Sequence, residues 1–112
     1  MPVVYKICPE LDWTTAVTAG RYEGSPDDRR DGFIHLSAAH QLEGTLARHF
    51  AGQKGLLLVA FETQALGTAL RWEPSRGGDL FPHVYSMLEP KAALWVKPLP
   101  LVNGSHLLPD LA

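Results

Sequence analysis

Leu56-Leu57-Leu58-Val59-Ala60-Phe61-Glu62 is a nearly continuous apolar run that stops after a few residues. So short a run fits a strand covered on both faces, at a central position in a sheet. It is far short of the roughly 20 apolar residues needed to cross a bilayer. On its N-terminal side, Ser37 stands where a helix cap belongs, and Leu42, Leu46 and Phe50 follow at i, i+4 and i+8 as a narrow apolar stripe. Arg48 and His49 suit the negative end of that helix, and Gly52 ends it. Before the cap, residues 32–36 (Gly-Phe-Ile-His-Leu) alternate as a strand, with Phe33 and His35 on one face and Ile34 and Leu36 on the other.

Further outward, residues 3–7 form a β-branched and aromatic run stopped by Pro9, which predicts a first strand. Asp12 is the expected N-cap of a short helix over 13–19 that ends at Gly20. Residues 23–31 are crowded with Gly, Ser, Pro, Asp and Arg and read as a solvated loop, in which Arg29 and Arg30 are neutralised by Asp27, Asp28 and Asp31. C-terminal to the central run, residues 69–73 alternate, with Leu70 and Trp72 opposed to Arg71 and Glu73. Gly77-Gly78 marks a flexible loop. Residues 81–85 are extended, with Phe81, His83 and Tyr85 on one face, and Pro82 implies an edge, a strand start or a bulge. Residues 93–97 are the last strand expected before a proline-punctuated tail. Two helices placed early and five or six strands crowded late make the class α+β, without a regular βαβ alternation.

With 112 residues the chain suits one domain, 1–112, and 46% hydrophobic with 20% charged residues excludes a disordered or collagen-like chain. A net charge of −2 supplies no attraction for duplex nucleic acid or acidic membranes. Cys8 is the sole cysteine, so an internal disulfide and a cysteine-based zinc site are both excluded. The start MPVVYKICPE has no charged head followed by a long apolar stretch, so a cytoplasmic location is expected.

No Walker loop, GxGxxG, HExxH or GxSxG occurs. His35, His40, His49, His83 and His106 show no paired ligand spacing, so no metal site is expected. His35 lies at the end of a strand just before the cap, where its imidazole, the Ser37 hydroxyl and a helix start could together bind a ribose hydroxyl or a phosphate. On that stretch alone, the plainer reading of a half-buried strand histidine beside a capping serine carries more weight. His83 sits among Phe81, Pro82 and Tyr85, where it could stack on a base or nicotinamide, but on that stretch alone an edge strand with ordinary aromatic packing carries more weight. Glu73 next to Trp72 could be a catalytic carboxylate, but the alternation favours a solvent-exposed pair with Arg71.

Taken in order, the YKI strand, the Trp-containing short helix, DGFIHLS, LRWEP and LFPHVY resemble an uncharacterised bacterial family, domain of unknown function 952, over nearly the whole chain. Val84, Ser86 and Met87 depart from the family's usual FPHLYGPL. The resemblance implies an ADP-ribosyltransferase-like α+β fold, a small split mixed or antiparallel sheet with two helices holding NAD in a cleft. It implies ribose binding by His35 with Ser37 as partner, and stacking by Tyr85 or Phe81. It supplies no matched position for the catalytic glutamate. The candidate catalytic residues are Glu73 and His83, and the candidate ligand-binding ones His35, Ser37, Phe81, His83 and Tyr85. The function expected is an NAD- or ADP-ribose-handling transferase with NAD as substrate. The alternatives are a nucleotide-binding module without turnover, or a protein-interaction domain marked by a large exposed apolar patch.

Overall fold

The computed structural model describes residues 2–111. Along the chain it runs β1 (Val3–Pro9), α1 (Glu10–Ala19), α2 (Pro26–Asp31), β2 (Ile34–His35), α3 (Leu42–His49), β3 (Leu56–Glu62), α4 (Thr63–Leu66), β4 (Leu70–Pro74), β5 (Leu80–Val84), β6 (Trp95–Leu99), β7 (Leu101–Val102) and β8 (Ser105–His106). Two three-stranded sheets, ordered β1-β3-β6 and β2-β5-β4, and the β7-β8 hairpin are each antiparallel in every pairing. The two larger sheets meet where Tyr5 and Ser37 exchange backbone hydrogen bonds of 2.8 Å in both directions. Among the described residues, no helix is long and apolar enough to cross a membrane.

The central run behaves as its composition dictates. β3 lies between β1 and β6, and Leu58, Val59, Ala60 and Phe61 are all fully buried. Period-two alternation sends them to opposite faces. Val59 and Phe61 join Val4, Trp13, Tyr22, Ile34 and Val84 in one core, between this sheet, α1 and the second sheet. Leu56, Leu58 and Ala60 join Ile7, Leu42, Leu46 and Leu99 in the other, under α3. The stripe at 42, 46 and 50 is thus the face of α3 that covers the sheet, with Phe50 partly buried at its end.

Several expectations need correction. Residues 23–31 are not all loop, because Ser25 caps α2 in a reciprocal box. Asp28 N–H donates to Ser25 Oγ (3.1 Å) and Ser25 N–H donates to Asp28 Oδ2 (2.9 Å), with Pro26 in the first turn and Gly32 left-handed at the end. Asp12 is not a cap: α1 starts at Glu10, behind Pro9, and Asp12 lies in its first turn. Ser37 is not the cap of α3 but the bridge residue to Tyr5. A 3₁₀ turn, Ala39–Gln41, intervenes, and the Gln41 side chain accepts from Ala38 N–H (2.9 Å) and donates to the Leu80 carbonyl (2.8 Å). Pro82 lies in the central strand of its sheet rather than at an edge. That position is tolerated because its carbonyl accepts from Leu36 N–H just past the end of the two-residue β2. The missing N–H points to the same side, so the bond it forfeits is the last of that ladder and not one within it. The tail also folds further, since Asn103 and Gly104, with φ of 51° and 82°, make the two-residue turn between β7 and β8.

A buried ion pair ties these parts together. Lys6 of β1 and Asp28 of α2 are almost fully buried, with Lys6 Nζ donating to Asp28 Oδ2 at 2.8 Å and to the His35 carbonyl at 3.0 Å. Asp28 Oδ1 accepts from His35 N–H (3.1 Å) and contacts His35 Nδ1 (2.6 Å). Burial by itself would raise the Asp28 carboxyl, but the hydrogen bond with His35, the Lys6 charge and the Ser25 N–H outweigh it and hold the group below its ordinary 3.8.

Asp28→Ala leaves Lys6 charged and unpaired in the core and is expected to cost about 3–5 kcal/mol in urea unfolding. Because the native carboxyl is the stronger acid, its contribution is complete above the unfolded value of 3.8 and is lost as pH falls below it. The stability difference between wild type and Asp28→Asn should therefore shrink on acidification through that range, read from urea midpoints. Gly24 has φ of 103°, and a Cβ there would sit 2.8 Å from the Asp28 Cβ. Gly24→Ala should destabilise by roughly 2–4 kcal/mol.

Candidate functional site

β2 and β5 place the two motif histidines directly opposite each other. In the antiparallel register His35 pairs with His83, so their side chains share a face, with ring centroids 5.5 Å apart at 72°. Phe33, two residues before His35, reaches across on the same face and stacks on His83 at 4.1 Å and 25°. His35 and His83 are thus brought to the same side of one sheet.

Each imidazole is oriented by carboxylates. His35 Nδ1 meets Asp28, and its Nε2 meets Asp31 Oδ2 at 3.0 Å, because positions 28 and 31 lie three apart on α2 and face the same way. Hydrogen bonding from Arg30 and the His35 ring holds the Asp31 carboxyl below its ordinary value against partial desolvation. His83, almost fully buried, turns Nδ1 to Glu73 Oε1 at 2.8 Å. The same Glu73 oxygen accepts the Tyr85 hydroxyl at 2.7 Å. The Tyr85 bond, followed by that of His83, holds the Glu73 carboxyl down, and the same contact with Glu73 raises the Tyr85 phenol. The expected exposed pair of Arg71 with Glu73 is replaced by this arrangement, and the Arg71 guanidinium lies 5.1 Å over the Tyr85 ring instead. Glu73 sits beside Phe81 in the ladder, one diagonal step from His83, and that step brings its carboxylate to the imidazole rather than to its own strand neighbour.

A cleft of about 240 Å³ opens along this face, between the second sheet, α2 and the end of α3. His35, Ser37, Phe81 and His83 line it together, facing Thr45 and Phe50. Ser37 is buried, with its Oγ 3.0 Å from Thr45 Oγ1, so the α3 wall is tied to the strand end. Tyr85 lines a neighbouring pocket of about 200 Å³ together with Phe33 and Met87. Glu73 reaches the larger cleft through His83. Among the described residues, no three His, Cys, Asp or Glu side chains gather in a metal-holding group. Burial pushes the Cys8 thiol up to about 12, so it is no nucleophile at neutral pH.

Sequence reasoning missed Lys6, Asp28 and Asp31 as members of this face. The signal for Asp28 was present in Ser25-Pro26-Asp27-Asp28, a capping-box spacing with proline in the first turn, which predicts a helix and hence a fixed carboxylate. Lys6 had no comparable signal, since a lysine in a strand ordinarily faces water.

The family model described as "Protein of unknown function (DUF952)" matches residues 7–96. Among solved structures, the crystal structure of protein CC0527 from Caulobacter crescentus is similar at 43% identity, over 94% of this chain and 93% of that one, with a TM-score of 0.90. A double mutant of the same protein gives 42% identity and a TM-score of 0.90, and its solution NMR structure 43% and 0.84, over 95% of this chain and 91% of that one. No curated protein matches. The family match covers most of the chain, and the chain belongs to the DUF952 family of proteins of unknown function.

Proposed function

We propose that this protein binds a nucleotide-type small molecule in the cleft beside His35 and His83, engaging chiefly its nucleoside half. The observation that carries this reading is the pairing of the two histidines across β2 and β5 at the wall of one cleft, each held by a carboxylate. Imidazoles and the hydroxyls of Ser37 and Thr45 suit a ribose, which presents several donors and acceptors within a small volume. Phe81 and Phe50 supply an apolar wall of the kind on which a base rests. The charges beside the cleft argue against a polyphosphate as the main anchor, because Lys6 is already paired with Asp28 and Arg30 with Asp27 and Asp31. The volume also suits a nucleoside-sized group better than a whole dinucleotide, since sites for drug-sized ligands run to about 300–1,000 Å³. An ADP-ribosylation-like fold with a cleft in its split sheet belongs to the same proposal.

The second reading is turnover, with NAD as substrate and cleavage at the ribose anomeric carbon. It is favoured by the Asp31 carboxylate, which is partly exposed and lines the cleft next to His35. A carboxylate there could stabilise positive charge developing on the ribose. Binding requires only the walls, whereas turnover requires that carboxylate to face the reacting carbon.

Amide NMR titration of labelled protein with NAD, ADP-ribose and adenosine should give saturable shifts in residues 32–37 and 78–87 and around Thr45 and Phe50. His83→Ala should weaken binding roughly tenfold, the loss of one hydrogen bond with some packing. Absence of shifts at millimolar ligand removes the nucleotide reading. Release of nicotinamide from NAD, abolished by Asp31→Asn, would select turnover over binding.

A further inference from the structure

Tyr85, Glu73 and His83 are drawn together on one sheet face from two strands. Glu73 Oε1 receives the Tyr85 hydroxyl at 2.7 Å and faces His83 Nδ1 at 2.8 Å. Phe33 lies flat against the His83 ring at 4.1 Å. Tyr85 itself is exposed, with Phe33 5.3 Å away on one side and Arg71 over its ring. An ionised carboxylate has only acceptor sites, so the ring nitrogen facing it must be the one that carries the proton.

We propose that Tyr85 and Glu73 are positioning residues that hold His83 in the tautomer with the proton on Nδ1, so that Nε2 is presented to the cleft as a hydrogen-bond acceptor. The ligand group that meets His83 is then a donor, a hydroxyl such as those of a ribose, and not a phosphate oxygen. Tyr85 acts one step back, steadying the carboxylate with its hydroxyl, instead of stacking on the ligand. Phe33 fixes the plane of the ring, and Glu73 fixes its rotation. The hydroxyl specificity rests on the nucleotide reading above, whereas the positioning of His83 does not.

The first arm of the test needs no ligand. Long-range ¹H–¹⁵N spectra of labelled protein at about pH 8, above the ordinary histidine range, read which ring nitrogen of His83 carries the proton, with His83→Gln identifying its signals. Wild type should show a protonated Nδ1 and a bare Nε2. Glu73→Gln, whose side-chain oxygen still accepts, should keep that tautomer, and Glu73→Ala should lose it. Tyr85→Phe should keep the tautomer and move the Glu73 carboxyl titration, followed by side-chain ¹³C shift, back up toward its ordinary 4.5. A proton on Nε2 in wild type overturns the proposal, and so does a Glu73 titration unmoved by Tyr85→Phe.

The second arm compares adenosine, 2′,3′-dideoxyadenosine and inorganic phosphate by the same amide titration. Adenosine should bind roughly tenfold more tightly than the dideoxy compound, the scale of one lost hydrogen bond in a partly buried site. Phosphate should not displace it. Equal binding of the two nucleosides, or displacement by phosphate, overturns the hydroxyl assignment. If adenosine itself does not bind, the nucleotide reading falls and the tautomer arm alone decides the positioning of His83.

Discussion

The buried pair between Lys6 and Asp28 is the constraint on which the rest of the face depends. Two charges removed from water are costly unless their remaining hydrogen-bonding capacity is met. Here Asp28 is met by Lys6, by the His35 ring, by the His35 N–H and by the Ser25 N–H, and Lys6 by Asp28 and the His35 carbonyl. Those contacts link β1 of the first sheet, the first turn of α2 and β2 of the second sheet. Among the described residues, the backbone ladder between the two sheets is the Tyr5–Ser37 bridge, a single residue pair. A sheet split that way has little cross-strand hydrogen bonding to set its angle, so the side-chain network carries much of the alignment. The same network explains why β2 is two residues long yet sits firmly: its backbone is bonded to an α2 side chain as well as to β5.

How much of the fold was legible follows from the range of the interactions involved. The central position of β3 could be read from seven residues because burial on both faces is written into composition alone. The stripe on α3 was legible for the same reason. The misreadings share a cause in competing local signals. Residues 23–31 are polar and hold Gly and Pro, which suggests a loop, but Ser25, Pro26 and Asp28 occupy the cap, first-turn and box positions of a helix, and position outranks composition. The missing N–H of Pro82 implies an edge, a strand start or a bulge, and whether the neighbouring strand extends past that point depends on a partner almost fifty residues away. Only the structure shows that β2 ends first. The Asn103-Gly104 dipeptide carries a turn signal, but the flanking segments are only two residues each and give no alternation to mark strands.

The candidate site divides in the same way. DGFIHLS and LFPHVY each stood out locally, and alternation placed Phe33 with His35, and Phe81 with His83 and Tyr85, on shared faces. What alternation cannot supply is register. A slip of one residue between β2 and β5 would put His35 opposite Val84 or Pro82 and turn the two imidazoles to opposite faces. The pairing of Arg71 with Glu73 failed for a related reason. Residues i and i+2 on a strand are neighbours on one face, but a carboxylate also reaches the diagonal residue on the next strand, and His83 and Tyr85 offered two donors where Arg71 offered one exposed charge.

The two histidines look equivalent in the sequence and are unlike in the structure. His35 has a carboxylate at each ring nitrogen, one of them on the most deeply buried acid in the chain, and its backbone N–H and carbonyl are engaged by the same network. Removing it would leave Asp28 with fewer partners in the core, so its first duty is to the fold. His83 has one ring nitrogen on a carboxylate, a flat aromatic contact on Phe33, and a place on the wall of the cleft. A ring held at one nitrogen and on one face keeps its other nitrogen available for chemistry while losing little freedom when a ligand arrives, which is how preorganisation strengthens binding. On the proposed reading the ligand meets the face at His83, and His35 serves it by holding β2 and α2 in register against the strand that carries it.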